Sequence, residues 1–479
     1  MTIDDRSIDA GKDTVAAKES VWSPQYLMTT IGMFSIVVLT AFESLAVTTI
    51  MPLVSAELSG DALYGLVFAM TFATGVIGMV AAGSWSDRRG PRTPLFAALG
   101  IFALGLLMAG LASSMLMLVA ARAVQGIGSG AISVVIYVLL ARIYPARLLP
   151  KIFAAFSVAW AVPSVVGPFI AGLIADHLHW RWVFFGVLIL LPLALMMMLP
   201  GIRANSGQMG PGNAETPWRK RLLWALLVAI ATLLLGMAAQ FSGIAALLLV
   251  IAGLAGVMIA VRPLLPPGTL RSRRGLPSII LLRALLSAAF FSAEVYIVLG
   301  LVNHYELSPT LAGLALTVGG ISWTAASVTQ SRLTEQLSHA RAVRVGAASL
   351  CFSLFVITGA VLMSLPAPML IAAWIFAGAG MGFGLARLST MGLSQASQSN
   401  QGEISSAMSM ADSIGSAAAL AIVGVIFGAL SALLPASELE HSRWPVTGAL
   451  VFSLLMAILA LLVCFRTTSR ATMIATRGE

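Results

Sequence analysis

Gly83-Ser84-Trp85-Ser86-Asp87-Arg88-Arg89-Gly90-Pro91-Arg92 is a charged break between two apolar runs, Leu63–Gly83 and Pro94–Ala112, each long enough to cross a hydrocarbon core as a helix. Runs of this kind, separated by short polar breaks, recur from one end of the chain to the other. The 479 residues are 59% hydrophobic and only 10% charged, and the mean hydropathy is +0.95. A soluble domain carries about 25% charged residues and cannot hide this much apolar surface. The surrounding solvent is lipid.

Fourteen helices are expected: Tyr26–Ile50, Leu63–Gly83, Pro94–Ala112, Met115–Tyr144, Ile152–Ala175, Trp182–Leu199, Leu222–Ala239, Ile244–Val261, Ile279–Leu301, Leu311–Thr329, Val345–Met363, Met369–Leu388, Ile404–Leu430 and Val446–Phe465. An even count places both termini on one side. Lys and Arg accumulate in cytoplasmic loops, so their distribution tests that count. Of 28 basic residues only Arg181 and Arg443 reach the side away from the termini. That side carries Glu57, Asp61, Asp176, Glu306, Glu438 and Glu440, with Trp180, Trp182 and Trp444 at helix ends. Both termini are therefore expected in the cytoplasm. The net charge of +9 is scattered in loop clusters and builds no continuous face, which argues against nucleic acid. Cys351 and Cys464 both fall inside apolar spans, so neither a disulfide nor a metal site is expected. No signal-peptide pattern precedes the first span, which is expected to be retained.

A faint internal repeat divides the chain. Glu57-Leu58-Ser59 followed by Leu63-Tyr64-Gly65-Leu66 recurs as Glu306-Leu307-Ser308 followed by Leu311-Ala312-Gly313-Leu314, and Gly126, Gly128 and Gly130 find counterparts in Gly378, Gly380, Gly382 and Gly384. Parallel six-helix repeats suit a carrier whose halves rock about a central site. The expected division is a tail over 1–25, a six-helix bundle over 26–201, a linker with two inserted helices over 202–275, a second six-helix bundle over 276–466 and a tail over 467–479.

Ionisable side chains deep in membrane helices are rare because each costs about 2.5–3.5 kcal/mol at the bilayer centre. Five qualify here: Glu43, Arg122, Arg283, Glu294 and Asp412. At about 1.5 Å rise per residue, Glu43, Arg122 and Glu294 share one layer, and Arg283 and Asp412 share another nearer the cytoplasm. They should face a wet cavity or one another. A carboxylate poised between burial and a nearby cation can carry a proton, which makes Glu43 and Asp412 the leading proton- or cation-binding candidates. Glu294 and Arg122 join them, and Arg283 is a possible ion-pair partner. The plain alternative is a set of structural pairs locking helices. Arg387, near the end of helix twelve, reads as a snorkelling side chain.

The charged break quoted first resembles the signature loop of the major facilitator superfamily, with Gly83, Asp87, Arg88, Gly90 and Arg92 in the family's spacing and Pro91 as a departure. The resemblance implies that this loop latches the two halves in the outward-facing state. Arg122, Gln125, Gly126 and Gly130 in helix four are similar to a second motif of that family, linked there to proton transfer. In helix five, Pro163, Gly167, Pro168 and Gly172 resemble the motif that marks its exporters, although Pro163 and Ala171 stand where glycines are usual. Glu43 through Thr48, Thr49 and Pro52 resemble the motif ending helix one in fourteen-helix members, with Glu43 near a usual aspartate. The loop Arg332–Arg344 is a degenerate copy of the signature.

The chain is thus similar to the fourteen-helix drug:proton antiporters. That resemblance implies an all-α integral membrane protein of the major facilitator fold, with two six-helix bundles and two inserted helices. It implies proton-coupled export of lipophilic or cationic drug-like compounds by alternating access, and hence antibiotic resistance. The partners would be a small-molecule substrate, protons and membrane lipid. A proton gradient would replace any cofactor, and the chain would act as a monomer in the cell membrane. Export of an endogenous lipid or metabolite is the rival within the class. A membrane enzyme would need an acid/base or ligand cluster, yet His177, His179, His304, His339 and His441 lie in or beside loops without ligand spacing. A receptor would leave the three transporter-like motifs unexplained, and no nucleotide-binding loop suggests ATP-driven pumping.

Overall fold

Without water in the bilayer core a backbone must close its own hydrogen bonds, so each apolar run becomes a helix. The computed structural model describes residues 21–204, 218–333, 335–395, 401–435 and 442–467, and within them fourteen helices are long and apolar enough to span a membrane. They are α1 (Pro24–Glu57), α2 (Tyr64–Arg89), α3 (Arg92–Gly110), α4 (Met115–Ile143), α5 (Leu149–His177), α6 (Arg181–Ala204), α7 (Trp218–Met237), α8 (Gly243–Leu264), α9 (Leu276–Asn303), α10 (Pro309–Arg332), α11 (His339–Leu362), α12 (Ala367–Ser394), α13 (Gln401–Ser431) and α14 (Trp444–Val463). No strand occurs among the described residues. Glu438, Glu440, His441, most of both expected tails and linker positions 205–217 lie outside them.

Two boundaries differ from expectation in instructive ways. Helix α1 runs through Pro52 to Glu57, beyond the expected Ile50, with Met51, Pro52 and Val54 buried. Packing thus carries the helix past a residue that lacks a backbone donor. Helix α2 runs on to Arg89, so most of the signature segment is helical and the break is confined to Gly90 and Pro91. Gly90 takes φ 77° and ψ 167° while its N–H still reaches the Ser86 carbonyl at 2.9 Å. Only a residue without Cβ adopts that conformation freely.

The halves repeat in three dimensions. In the first, α1 packs on α5 and α6, α2 on α4, and α3 on α4 and α6. In the second, α9 packs on α13 and α14, α10 on α12, and α11 on α12 and α14. The glycine repeat has the same geometry. A Cβ on Gly130 would stand 2.7 Å from Gly75 Cα in α2, and one on Gly128 2.6 Å from Phe102 Cα in α3. Its relatives obey the rule: a Cβ on Gly378 would stand 2.9 Å from the Gly319 carbonyl carbon in α10, and one on Gly380 2.9 Å from the Leu350 nitrogen in α11. Small residues let these backbones cross closely.

The inserted helices do not hang at the periphery. Helix α7 packs on α2, α8 and α13, and one apolar cluster joins Ala73, Val76 and Val80 of α2 to Ala225 and Val228 of α7, Val257 of α8 and Ala407, Met408 and Ala411 of α13. The insert therefore covers the α2–α13 seam between halves.

Helix alternation gathers Arg88, Arg89, Arg142 and Arg332 at one end of the bundle, the basic face, opposite an acidic face with Glu57 and Asp176. The two arginines that break the charge rule are both held. Arg181 reaches Glu57 at 2.8 Å and the Ala112 carbonyl at 2.9 Å, while Trp180 donates to Glu57 at 2.7 Å. Arg443 donates to the Ser364 hydroxyl.

Candidate functional site

The five submerged ionisable residues separate into two pairs and one single carboxylate. Arg122 of α4 donates to Glu43 of α1 and, at 2.8 Å, to the Gln125 side-chain amide oxygen Oε1 one turn along its own helix. Both charged side chains are only 3% exposed. This pair lies wholly within the first half and is sealed from solvent.

The second pair lies in the other half and is wetter. Arg283 Nε of α9 donates to Asp412 of α13 at 2.7 Å, and its Nη1 donates to Ser389 of α12 at 2.6 Å. Ser287, one turn beyond Arg283, donates to the other Asp412 oxygen at 3.0 Å. The Arg283 and Asp412 side chains are 16% and 24% exposed. Tyr137 of α4, 57% exposed, lies within electrostatic reach of Arg283 across the gap between halves. This network is thus partly exposed, beside the α4 surface that carries Tyr137.

Glu294 of α9 is 7% exposed and, among the described residues, has no hydrogen-bond or ion-pair partner. Arg122 stands four residues before Gly126, and the residue four before Gly378 is Trp374. The second half places an indole where the first has a guanidinium. Trp374 stacks on Phe290 with centroids 4.9 Å apart, Phe290 lies 5.3 Å from Trp323 and 5.4 Å from Phe291, and Phe291 lies 5.4 Å from Phe72 of α2. Glu294 follows Phe290 and Phe291 by one helical turn, at the end of this aromatic row.

The exporter-type motif forms the seam on the acidic face. Helix α5 remains continuous through Pro163 and Pro168. A Cβ on Gly172 would stand 2.6 Å from Thr310 Cα of α10, and the Pro168 and Ser164 carbonyls abut Gly313 and Gly320. Gly167 turns instead toward Phe42 of α1. Asp176 accepts hydrogen bonds from the Thr310 backbone, at 3.3 Å, and from its hydroxyl. Beside this seam Tyr64 of α2 donates to the Val295 carbonyl of α9 at 3.3 Å. The halves are closed together at the acidic face, while the Arg283–Asp412 network stays partly exposed.

In the signature segment, Asp87 and Arg88 are exposed, Asp87 lies near Arg142 of α4, and Arg88 sits 4.7 Å from the Trp218 ring centroid of α7. Gly83 faces Val134 across ordinary contact, and Arg92 opens α3. Arg387 differs from expectation. It does not snorkel but is 2% exposed, donating to the Gln330 carbonyl and lying 3.1 Å from His339 Nδ1. Because α12 continues to Ser394, Arg387 lies inside the helix and closes the end of α10.

Sequence reasoning did not find Ser287, Ser389, Tyr137 or the aromatic row. Ser287 carries a local signal, four residues from Arg283 on one helix face. The others come together only through packing of distant helices.

Comparison with known proteins now places the chain. The family model described as Major Facilitator Superfamily matches residues 33–420. A Mycobacterium tuberculosis protein named "Probable multidrug-efflux transporter" is 29% identical over 431 residues, which is 85% of this chain and 86% of that protein. The Bacillus subtilis "Multidrug transporter protein MdtP" is 24% identical over 88% of this chain and 79% of its own length. Among solved structures, a POT family transporter in complex with 5-aminolevulinic acid superposes with a TM-score of 0.66 at 15% identity, covering 92% of this chain and 94% of that one. A bacterial homologue of the human lysosomal transporter Spinster, inward-facing and unoccupied, gives 0.63 at 14% identity, covering 93% and 98%. These likenesses at low identity show the shared fold. Fourteen membrane helices, the doubled packing and a family match over most of the length agree: the chain belongs to the major facilitator superfamily and is a multi-pass transporter of the cell membrane, not an enzyme.

Proposed function

We propose that this transporter exports lipophilic, cationic drug-like compounds in exchange for protons, as a monomer needing no cofactor, with its termini and basic face in the cytoplasm. The observation that carries the reading is the Arg283–Asp412 pair, set in membrane helices yet partly exposed, unlike the sealed Glu43–Arg122 pair. A proton arriving at Asp412 removes the charge that holds Arg283. The guanidinium is then left to Ser389, and the contacts joining α9, α12 and α13 loosen. Closure at the acidic face with Asp412 held by Arg283 and Ser287 is the arrangement expected after a proton has left and before a substrate loads. We assign Glu43, sealed against Arg122, to holding α1 against α4 in this state. The multidrug names of the relatives support the substrate class, as does the aromatic row beside Glu294, since aromatic faces attract cations and a carboxyl that ionises as a cation arrives would match its charge.

The test is efflux of dyes and drugs from proteoliposomes with and without an imposed pH gradient. Cationic compounds should move only with the gradient, and gradient-independent movement of all of them would reject exchange with protons. Glu294→Gln should raise the KM for monocationic dyes about tenfold or more, the loss of one charge-assisted contact of about 1.5–3 kcal/mol. Neutral substrates should be unaffected. An equal change for both classes would remove Glu294 from cation recognition.

A further inference from the structure

A cavity of about 290 Å³ opens on the basic face between α2 and the inserted α7, lined by Ala81, Ser84, Trp85, Arg88, Arg89 and Trp218. Its polar lining is almost entirely donor. Arg88 and Arg89 supply two exposed guanidiniums, and the indole N–H groups of Trp85 and Trp218 have no hydrogen-bond partner among the described residues. Ser84 spends its hydroxyl proton on the Val80 carbonyl at 2.9 Å. No carboxylate lines the cavity: Asp87 of α2 lies near Arg142 of α4, and Glu403 of α13 is engaged by Arg221 at 2.9 Å. Arg219 approaches the same Trp218 ring, with its guanidinium carbon 5.7 Å from the centroid. A pocket offering donors and positive charge with apolar walls fits a phosphate attached to a greasy body.

Its position identifies the source of that phosphate. Trp85, 38% exposed, and Trp218 sit at helix ends on the basic face, the depth at which indoles mark the headgroup region. Leu223, Leu226 and Ile230 continue from Trp218 along α7 toward the bilayer centre and are 64%, 40% and 50% exposed. The chain thus presents a headgroup-level anion pocket above an acyl-level apolar strip. We propose that this cavity binds the headgroup of an anionic phospholipid of the leaflet at the basic face, bridging the signature segment to the inserted helices. Basic pockets between membrane helices at the cytoplasmic side hold such headgroups. A bound lipid would tie Arg88 and Arg89 to α7, which itself covers the α2–α13 seam.

Titration of phosphatidylglycerol onto the delipidated full-length protein, followed by native mass spectrometry, tests this. Arg89→Gln/Trp218→Leu should weaken the tightest lipid adduct about tenfold. Arg271→Gln/Arg274→Gln, which removes two exposed charges elsewhere on the basic face against one in the first variant, should leave that adduct unchanged. Glycerol phosphate and inorganic phosphate at millimolar concentration should not displace it. Equal weakening by both double variants would reduce the effect to general surface charge and overturn the site, and displacement by inorganic phosphate would overturn the lipid assignment. Should the double variant fail to give a monodisperse protein, Arg89→Gln alone should still weaken the adduct several-fold, and an unchanged adduct would reject the proposal.

Discussion

Glu43→Gln lowers the stability of the folded protein by about 3–5 kcal/mol, because it leaves Arg122 buried without its counter-charge. Arg122 is 2% exposed, its Nε already lacks a partner, and Gln125 alone cannot balance a guanidinium. The expectation reverses for the pair. Glu43→Gln/Arg122→Gln removes both charges while keeping groups able to hydrogen-bond, and it should regain most of the loss. Thermal unfolding in detergent measures both. A single variant as stable as the parent would show that Arg122 reaches water and that the pair is not sealed.

Gly172→Val should prop open the acidic face. Its Cβ would lie 2.6 Å from Thr310 Cα and 2.8 Å from the Thr310 nitrogen, a clash with backbone that no rotamer relieves. The opposite arrangement, with α5 and α10 parted, would accommodate the valine freely, so the variant should fold and insert but stop cycling. A cysteine at Tyr137, exposed in this arrangement, reports the shift. In a background lacking Cys351 and Cys464, its labelling by a membrane-impermeant thiol reagent from the basic face should fall several-fold in the Gly172→Val protein. Undiminished labelling together with intact transport would mean the seam tolerates a side chain and does not gate.

The membrane architecture was legible because lipid imposes two strong rules on sequence. Spans must be long and apolar, and cations must stay outside. Helix ends were less legible: Pro52 and the polar run to Arg89 look like breaks, yet packing continues both helices. The submerged charges were legible for the same reason that they are rare. Their partners followed from depth for Arg283 and Asp412 and for Glu43 and Arg122, whereas depth alone could not separate Glu294 from the upper layer. The replacement of the helix-four cation by Trp374 in the second half becomes visible once the glycines of α4 and α12 are superposed. The packing of α7 into the α2–α13 seam carries no local signal, since its apolar residues satisfy lipid and protein equally. Arg387 misled for a related reason: a cation near a helix end snorkels unless a neighbouring helix offers a carbonyl, and Gln330 of α10 does.

The assignment of proton exchange to the Arg283–Asp412 pair is tested most directly by Asp412→Asn in proteoliposomes, with pH-gradient-driven efflux and substrate counterflow without a gradient measured on the same preparation. The account predicts that gradient-driven efflux falls to the level of empty liposomes while counterflow persists. Gradient-driven efflux at the parent rate in the Asp412→Asn protein would contradict it.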